Sequence, residues 1–473
     1  MRHATPIALV LFGATGDLAA RKIVPALELL LDADQLPANL AIIGVGRRPY
    51  DDAAFRDHLA TEVQSRLSRT LSARILKRLS YHQGTFEDPA TYERLAERLR
   101  TLEQNGAIHR LFYVATPPEQ YATIFTQLAG SGLTHTSESG DGWSRVLVEK
   151  PFGRDAASAA QLEELLGSLF REEQIYRIDH YLAKDILQGI LSFRFSNTLL
   201  EPSWGGHAIE QINLRLLETI GVEARGTFYD TVGALRDVGQ NHLLQMLALT
   251  TMECPPQLTA DAIRDGRTRA LEALRPPNDV NAATLRAQYH GYSQITGVAQ
   301  GSTTETYFAL RTTLTDPRWK GVTVTMEAGK RLGAVNKEIE VWFAHPSPCL
   351  CPPGHHYQNR VTLRLEPNPG IEVTFWTKRA GLSRDLEEQT LAFTLGSEGR
   401  TQYLDEYAQL LSDAIAGDQT LFISSREVAA MWRFVDPVLA GWAAGEVPLM
   451  HYAPDTDEPR RLAADLLKPQ PRR

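Results

Sequence analysis

Two patterns of apolar spacing divide this chain. Up to about residue 177, short continuous apolar runs alternate with longer amphipathic stretches. Ile7 to Phe12, Ala41 to Gly46, Arg110 to Thr116 and Val146 to Val148 lack the alternation of a strand with one wet face. Strands buried on both faces of a parallel sheet have that signature. Between them, Arg21 to Leu31 and Asp155 to Leu169 carry helical spacing, and residues 51–100 are mostly helical and charged. After residue 185 the pattern changes. Ala208 to Thr219, Glu305 to Leu314, Gly321 to Glu327, Ile339 to Ala344, Asn359 to Glu366 and Gly370 to Lys378 predict strands, several with period-two alternation. They predict a large, mainly antiparallel sheet with helices on one face. Tyr403 to Ala416 and Ser425 to Ala443 predict two further helices, with Trp432, Phe434 and Trp442 in the core rather than against a cofactor. The tail from Asp455, rich in Pro and Arg, is expected to be loosely held.

The first apolar run leads straight into Gly13-Ala14-Thr15-Gly16-Asp17-Leu18-Ala19. Strand, glycine turn and helix in that order let the backbone approach a pyrophosphate at a helix N-terminus. The spacing is Gly-x-x-Gly-x-x-Ala, and no Gly-Lys-Ser/Thr follows, so a P-loop is excluded. Arg47-Arg48 follow the second strand, where an NAD enzyme usually carries an acid for the ribose hydroxyls. Two arginines suit the 2′-phosphate of NADP. The fold class is therefore an α/β Rossmann dinucleotide-binding domain over residues 1–177. A larger α+β domain with a mostly antiparallel sheet is expected over 178–473. Lys150 stands at the carboxyl end of a strand, where open α/β sheets bind ligands.

The densest chemistry lies in Arg177-Ile178-Asp179-His180-Tyr181-Leu182-Ala183-Lys184. It brings together a carboxylate, an imidazole, a phenol and an ammonium, a set suited to a small anion such as a sugar phosphate. A second polar group, Asp237 to His242, opens an apolar helix with Asp237 as a possible N-cap. On a regular helix Asp237 and His242 do not share a face. The carboxylate orienting His242 must then come from elsewhere, and Asp179 is the candidate. Glu218 and Lys330 are isolated polar groups near strand ends.

Charge and composition narrow the partners. A net charge of -8 argues against a nucleic-acid surface. No apolar run approaches the length of a bilayer span. Only three cysteines, Cys254, Cys349 and Cys351, point to a reducing cytoplasm. Cys349, Cys351, His355 and His356 share a Pro- and Gly-rich stretch, but Cys-x-Cys and His-His are tighter than usual zinc pairs, so a surface loop without metal is expected.

Taken together these stretches resemble the glucose-6-phosphate dehydrogenase family. The resemblance rests on Gly13 to Lys22, Glu149 to Gly153, Arg177 to Lys184, Asp237 to Leu247, Arg318 to Gly321 with Gly329-Lys330, and Trp432 to Pro437. It implies oxidation of β-D-glucose 6-phosphate to the 1,5-lactone with hydride transfer to NADP, the first oxidative step of the pentose phosphate pathway. NAD as a second acceptor stays open, as does a different aldose phosphate or amino sugar, or a non-catalytic regulator. His242 would be the base and Asp179 its orienting partner. His180, Tyr181 and Lys184 would hold the phosphate, Glu218, Asp237 and Lys330 the sugar. Lys150 would bridge sugar and cofactor. Gly13, Thr15, Gly16, Asp17, Leu18 and Arg47 would hold NADP. A homodimer or homotetramer, built on the large sheet, is implied. The chain departs from the family at Val335, where a second basic residue is usual, with Lys337 two positions on. It departs again at Trp204-Gly205-Gly206, where Trp-Asn-Arg is usual.

Overall fold

The computed structural model describes residues 5–103, 108–135, 142–346, 348, 357–382, 384–394 and 405–468. Cys349, Cys351, His355 and His356 lie outside the described residues. Six strands of the first half are β1 (Ile7–Phe12), β2 (Leu40–Gly46), β3 (Leu79–Gln83), β4 (His109–Val114), β5 (Ser144–Val148) and β6 (Ile175–Ile178). They form one parallel sheet in the order β6-β5-β4-β1-β2-β3. The continuous apolar runs have their expected cause: every residue of β1 and of β4 is buried. β3 lies inside the stretch expected to be mostly helical; Leu-Ser-Tyr-His-Gln has too few apolar residues to announce an edge strand. Chain order reverses between β1 and β4, which opens a crevice at their carboxyl ends.

The second half contributes β7 (Ile209–Leu217), β8 (Leu274–Arg275), β9 (Thr284–Tyr289), β10 (Tyr307–Leu314), β11 (Thr323–Gly329), β12 (Asn336–Phe343), β13 (Arg360–Glu366), β14 (Gly370–Lys378), β15 (Leu386–Thr394), β16 (Phe422–Ile423) and β17 (Leu449–Tyr452). Nine of these run β15-β14-β13-β12-β7-β11-β10-β9-β17, with β8 beside β10. Pairing is antiparallel except between β7 and β11 and between β9 and β17. β16 instead crosses to the first sheet and pairs with β6, tying the two halves together.

Core positions follow the sequence pattern. The helix Ser425–Ala443 buries Trp432, Phe434 and Trp442, and its N-terminus is closed by a reciprocal Ser424–Glu427 capping box. The indole of Trp432 donates to the Phe152 carbonyl and that of Trp442 to Thr284, so both polar tips are satisfied.

The segment after Asp455 is not loose through residue 468. Pro459 is buried in the short helix Glu458–Leu462, and Ala463, between that helix and Ala464–Leu467, is buried in the apolar cluster on the large sheet. Arg460 pairs with buried Glu327, and Gln211 donates to the Leu467 carbonyl. Composition misled here because these contacts are made by scattered residues rather than by an apolar face. Gly206 is explained as well: a Cβ there would lie 2.5 Å from the Lys320 carbonyl oxygen. Its own N–H donates to the Arg318 carbonyl at 2.7 Å, so the turn after Trp204 lies flat on residues 318–320.

Candidate active site

The octapeptide is anchored at its first residue. Arg177, 1% exposed, forks between Glu163 and Glu172 at 2.6 and 2.9 Å. That fixes the end of β6, from which Asp179 leaves the sheet. The Asp179 side chain accepts from the Tyr181 N–H at 2.9 Å and caps a single 3₁₀ turn, His180–Ala183. Lys184 closes this turn and begins the helix Asp185–Phe195.

His242 arrives from the other half on a helix that is not regular. Leu235–Leu243 is wound as a π-helix, preceded by Ala234 rather than capped by Asp237. The expected N-cap at Asp237 is therefore wrong: the side chain lies inside the first turn and faces Lys150. Hydrogen bonding five residues apart also brings positions i and i+5 together. Asp237 and His242, which a regular helix would separate, thus meet the same ammonium. Lys150 Nζ donates to the Asp237 carbonyl at 2.7 Å and lies 3.4 Å from its carboxylate and 3.2 Å from His242 Nε2.

The decisive contact is 2.6 Å between His242 Nδ1 and Asp179 Oδ1, with both residues 1% exposed. Burial pushes the Asp179 carboxyl up, but His242, His180 and Lys150 outweigh it and hold it at about 2. Burial, helped by Lys150, lowers His242 below its ordinary range despite Asp179. At neutral pH the pair is a carboxylate and a neutral imidazole. Nδ1 then donates to Asp179, and Nε2 is left as the acceptor facing Lys150. Such an imidazole can take a proton from a hydroxyl placed at Nε2. Asp179, His180 and His242 offer ligand atoms within 4.8 Å of one another, a spacing that also suits a metal ion. The Lys150 ammonium beside Nε2 opposes a cation there.

The aromatic neighbours fix the imidazole. The Tyr181 ring stacks on His242 at 4.0 Å between centroids, and the His180 ring meets it edge-on at 4.9 Å. Burial also drives His180 well below the usual histidine range. Next to Lys150, burial raises Glu149 to about 7, partly offset by the hydroxyls of Tyr113 and Tyr407.

Lys184 Nζ lies 2.9 Å from Glu406 and 3.5 Å from Glu366. Lys330 pairs with Glu218 at 2.7 Å. Lys337 stands 3.3 Å from Glu218 and 2.9 Å from Glu366. Lys337, two positions past Val335 and inside β12, thus brings to this cluster an ammonium that Val335 cannot supply. Burial opposes the charge on Lys337, yet Tyr181, Glu218 and Glu366 outweigh it and raise its pKa. Sequence reasoning missed Glu366 and Glu406. Each is one acid among 57 Asp and Glu, with no local signal.

At the glycine turn Gly13 has φ +78°, and a Cβ there would lie 2.4 Å from the Ala115 carbonyl oxygen. The Thr116 hydroxyl beside it is buried and has no partner among the described residues. Leu18, Thr116, Lys150, Asp237 and Asn241 line one cleft of about 260 Å³. Asp17 pairs with Arg21 and with Arg66, a basic group at this turn that sequence reasoning did not single out. Arg47 and Arg48 are exposed just past β2. The close backbone approach, the unpartnered hydroxyl and the two arginines fit a phosphorylated dinucleotide.

Both halves match family models: "Glucose-6-phosphate dehydrogenase, NAD binding domain" over residues 10–189 and "Glucose-6-phosphate dehydrogenase, C-terminal domain" over 191–472. The chain belongs to the glucose-6-phosphate dehydrogenase family. The glucose-6-phosphate 1-dehydrogenase of Gluconobacter oxydans is 38% identical, covering 95% of this chain and 93% of the relative. That of Treponema pallidum is 36% identical over 98% and 94%. A solved glucose-6-phosphate dehydrogenase in complex with glucose 6-phosphate superposes with a TM-score of 0.90 at 29% identity over 99% of both chains. The Mycobacterium avium glucose-6-phosphate 1-dehydrogenase gives 0.83 at 32% identity, over 97% and 98%. The family's Rossmann-like N-terminal domain and mostly antiparallel C-terminal sheet are the two units described above. Among the described residues, no helix is long and apolar enough to cross a membrane.

Proposed function

We propose that this chain oxidises β-D-glucose 6-phosphate at C1, giving 6-phospho-D-glucono-1,5-lactone, with NADP as hydride acceptor. The observation that carries this reading is the buried Asp179–His242 pair, whose free nitrogen faces Lys150 beside a dinucleotide-type cleft. His242 Nε2 takes the proton of the C1 hydroxyl as the hydride leaves C1, and Asp179 stabilises the imidazolium that forms. NADP, when bound, supplies the pyridine ring that accepts the hydride. Gly13, Thr15, Gly16, Asp17 and Leu18 would hold its phosphates and ribose, and Arg47 its 2′-phosphate. Lys150 turns from His242 and Asp237 toward the sugar and the cofactor. Lys184, His180 and Tyr181 receive the phosphate end. Glu218 and Asp237 accept from sugar hydroxyls, and Lys330 and Lys337 frame the same end of the pocket.

We divide the chain at residues 177/178, where the cofactor unit hands over to the substrate unit, and place the enzyme in the cytoplasm. A second copy of the chain is the natural cover for the β14–β15 ribbon, where Phe375, Leu391 and Phe393 are 42%, 59% and 62% exposed. Light scattering on the eluting protein checks this; a monomer at working concentration overturns it. The activity itself is tested by following nicotinamide reduction with NADP and NAD. The substrates are glucose 6-phosphate, galactose 6-phosphate, glucosamine 6-phosphate and free glucose. Glucose 6-phosphate with NADP should have the highest kcat/KM; a higher value for another sugar reassigns the substrate.

A further inference from the structure

We propose that Glu366 is a specificity-determining residue that sets how strongly the site attracts an anionic ligand; this rests on the assignment of Lys184 to the substrate's phosphate. Six side chains form one alternating ion-pair chain, Glu406–Lys184–Glu366–Lys337–Glu218–Lys330, with neighbouring charges 2.7 to 3.5 Å apart. Three ammoniums face three carboxylates, so the formal charge of the group is zero. A lysine cluster of that size without acids would draw a dianion far more strongly.

The three acids are not equivalent. Glu406 stands at the outer end and touches only Lys184 of these lysines. Glu218 lies between Lys337 and the terminal Lys330, and is not paired with Lys184. Glu366 is the one carboxylate shared by Lys184 and Lys337, so its charge offsets both at once. It comes from the last residue of β13 and is also the most exposed of the six, at 39% of its side chain against 19% for Lys184 and 11% for Lys337. The two lysines are the more deeply buried partners, and the acid that bridges them is the one nearest solvent. Glu366 thus weakens anion binding while keeping the two ammoniums in register. The pocket therefore discriminates by the sugar's hydroxyl contacts rather than by phosphate attraction alone.

The test compares Glu366→Gln with the wild-type enzyme, reading kinetics and inorganic phosphate as a competitive probe. The amide keeps the shape and removes the charge. The KM for glucose 6-phosphate and the Ki for phosphate should both fall about tenfold, the gain falling in KM. Lys337→Met should raise both constants, and the double variant Lys337→Met/Glu366→Gln should return toward wild type. Calorimetric titration of phosphate into Glu366→Gln reads the same gain without turnover. If Glu366→Gln raises either constant or leaves both unchanged, Glu366 does not tune anion binding. Lys184→Ala separates the two layers. A raised KM in that variant, with Glu366→Gln inert, removes only this inference. An unchanged KM removes the phosphate assignment beneath it.

Discussion

Replacing Asp179 by Asn tests the chemistry most directly. The carboxylate takes two hydrogen bonds on one oxygen, from His242 Nδ1 at 2.6 Å and from the Tyr181 N–H at 2.9 Å. Asparagine preserves the volume and can preserve the cap, but it removes the charge. The surroundings hold Asp179 at about 2, against an ordinary carboxyl near 3.8. That difference corresponds to roughly 2 to 3 kcal/mol in favour of the ionised form. If the same interaction is spent on the imidazolium formed during turnover, its loss lowers kcat by roughly 30- to 150-fold. This is a floor. The amide can also present its NH₂ to Nδ1, which would place the histidine proton on Nε2 and remove the acceptor. NADP affinity should be nearly unchanged. The pH profile carries a second signature. In the wild type, kcat/KM should rise with pH as His242 loses its proton, with the acid limb below the ordinary histidine value because burial and Lys150 lower it. In Asp179→Asn the influence that raises this pKa disappears while those that lower it remain. The acid limb should therefore move further down in pH while the plateau drops. Steady-state rates across the acid-to-neutral range, with thermal melts to verify folding, make the measurement. A kcat within about threefold of wild type, or an acid limb that moves up, would refute the carboxylate–imidazole assignment.

Other perturbations address separate parts of the molecule. Lys184→Ala should raise the KM for glucose 6-phosphate by at least about tenfold with a smaller effect on kcat, read from initial rates. Arg47→Ala should cost NADP about tenfold or more in kcat/KM and leave NAD nearly untouched, since only NADP brings the 2′-phosphate; equal losses would reassign the residue. Gly13→Ala should abolish dinucleotide binding measured by fluorescence titration, because its Cβ would enter the Ala115 carbonyl and φ is +78°. Arg177→Met leaves Glu163 without its buried partner and Glu172 with Arg264 alone, and should lower stability by roughly 3 to 5 kcal/mol, seen as a drop in Tm.

Much of this protein is written in local pattern. Unbroken apolar runs mark strands wetted on neither face, and the glycine turn after the first of them marks a backbone that must pass close to a ligand. The helix Ser425–Ala443 has matching limits in pattern and structure, because spacing and cap coincide. β3 and β15 are hidden for different reasons: β3 is mostly buried but offers only Leu79 and Tyr81 as large apolar residues. In β15, Leu-Glu-Glu-Gln-Thr-Leu-Ala-Phe-Thr lies mostly in solvent at a sheet edge, so hydrophobic burial left little trace in its composition. The site divides the same way. Asp179, His180, Tyr181 and Lys184 stand together in the chain and were legible as one group. The contact of Asp179 with His242 spans 63 positions, and the π-turn that sets Asp237 and His242 on one lysine has no counterpart in helical periodicity. The alternating charges from Glu406 to Lys330 are gathered from a helix, a turn and four strand ends. Sequence alone therefore determined the elements and the chemical groups available, since both follow from neighbours in the chain. Only the tertiary structure decided which charges face one another, because Coulomb and hydrogen-bond energies depend on distance in space and not on separation in sequence.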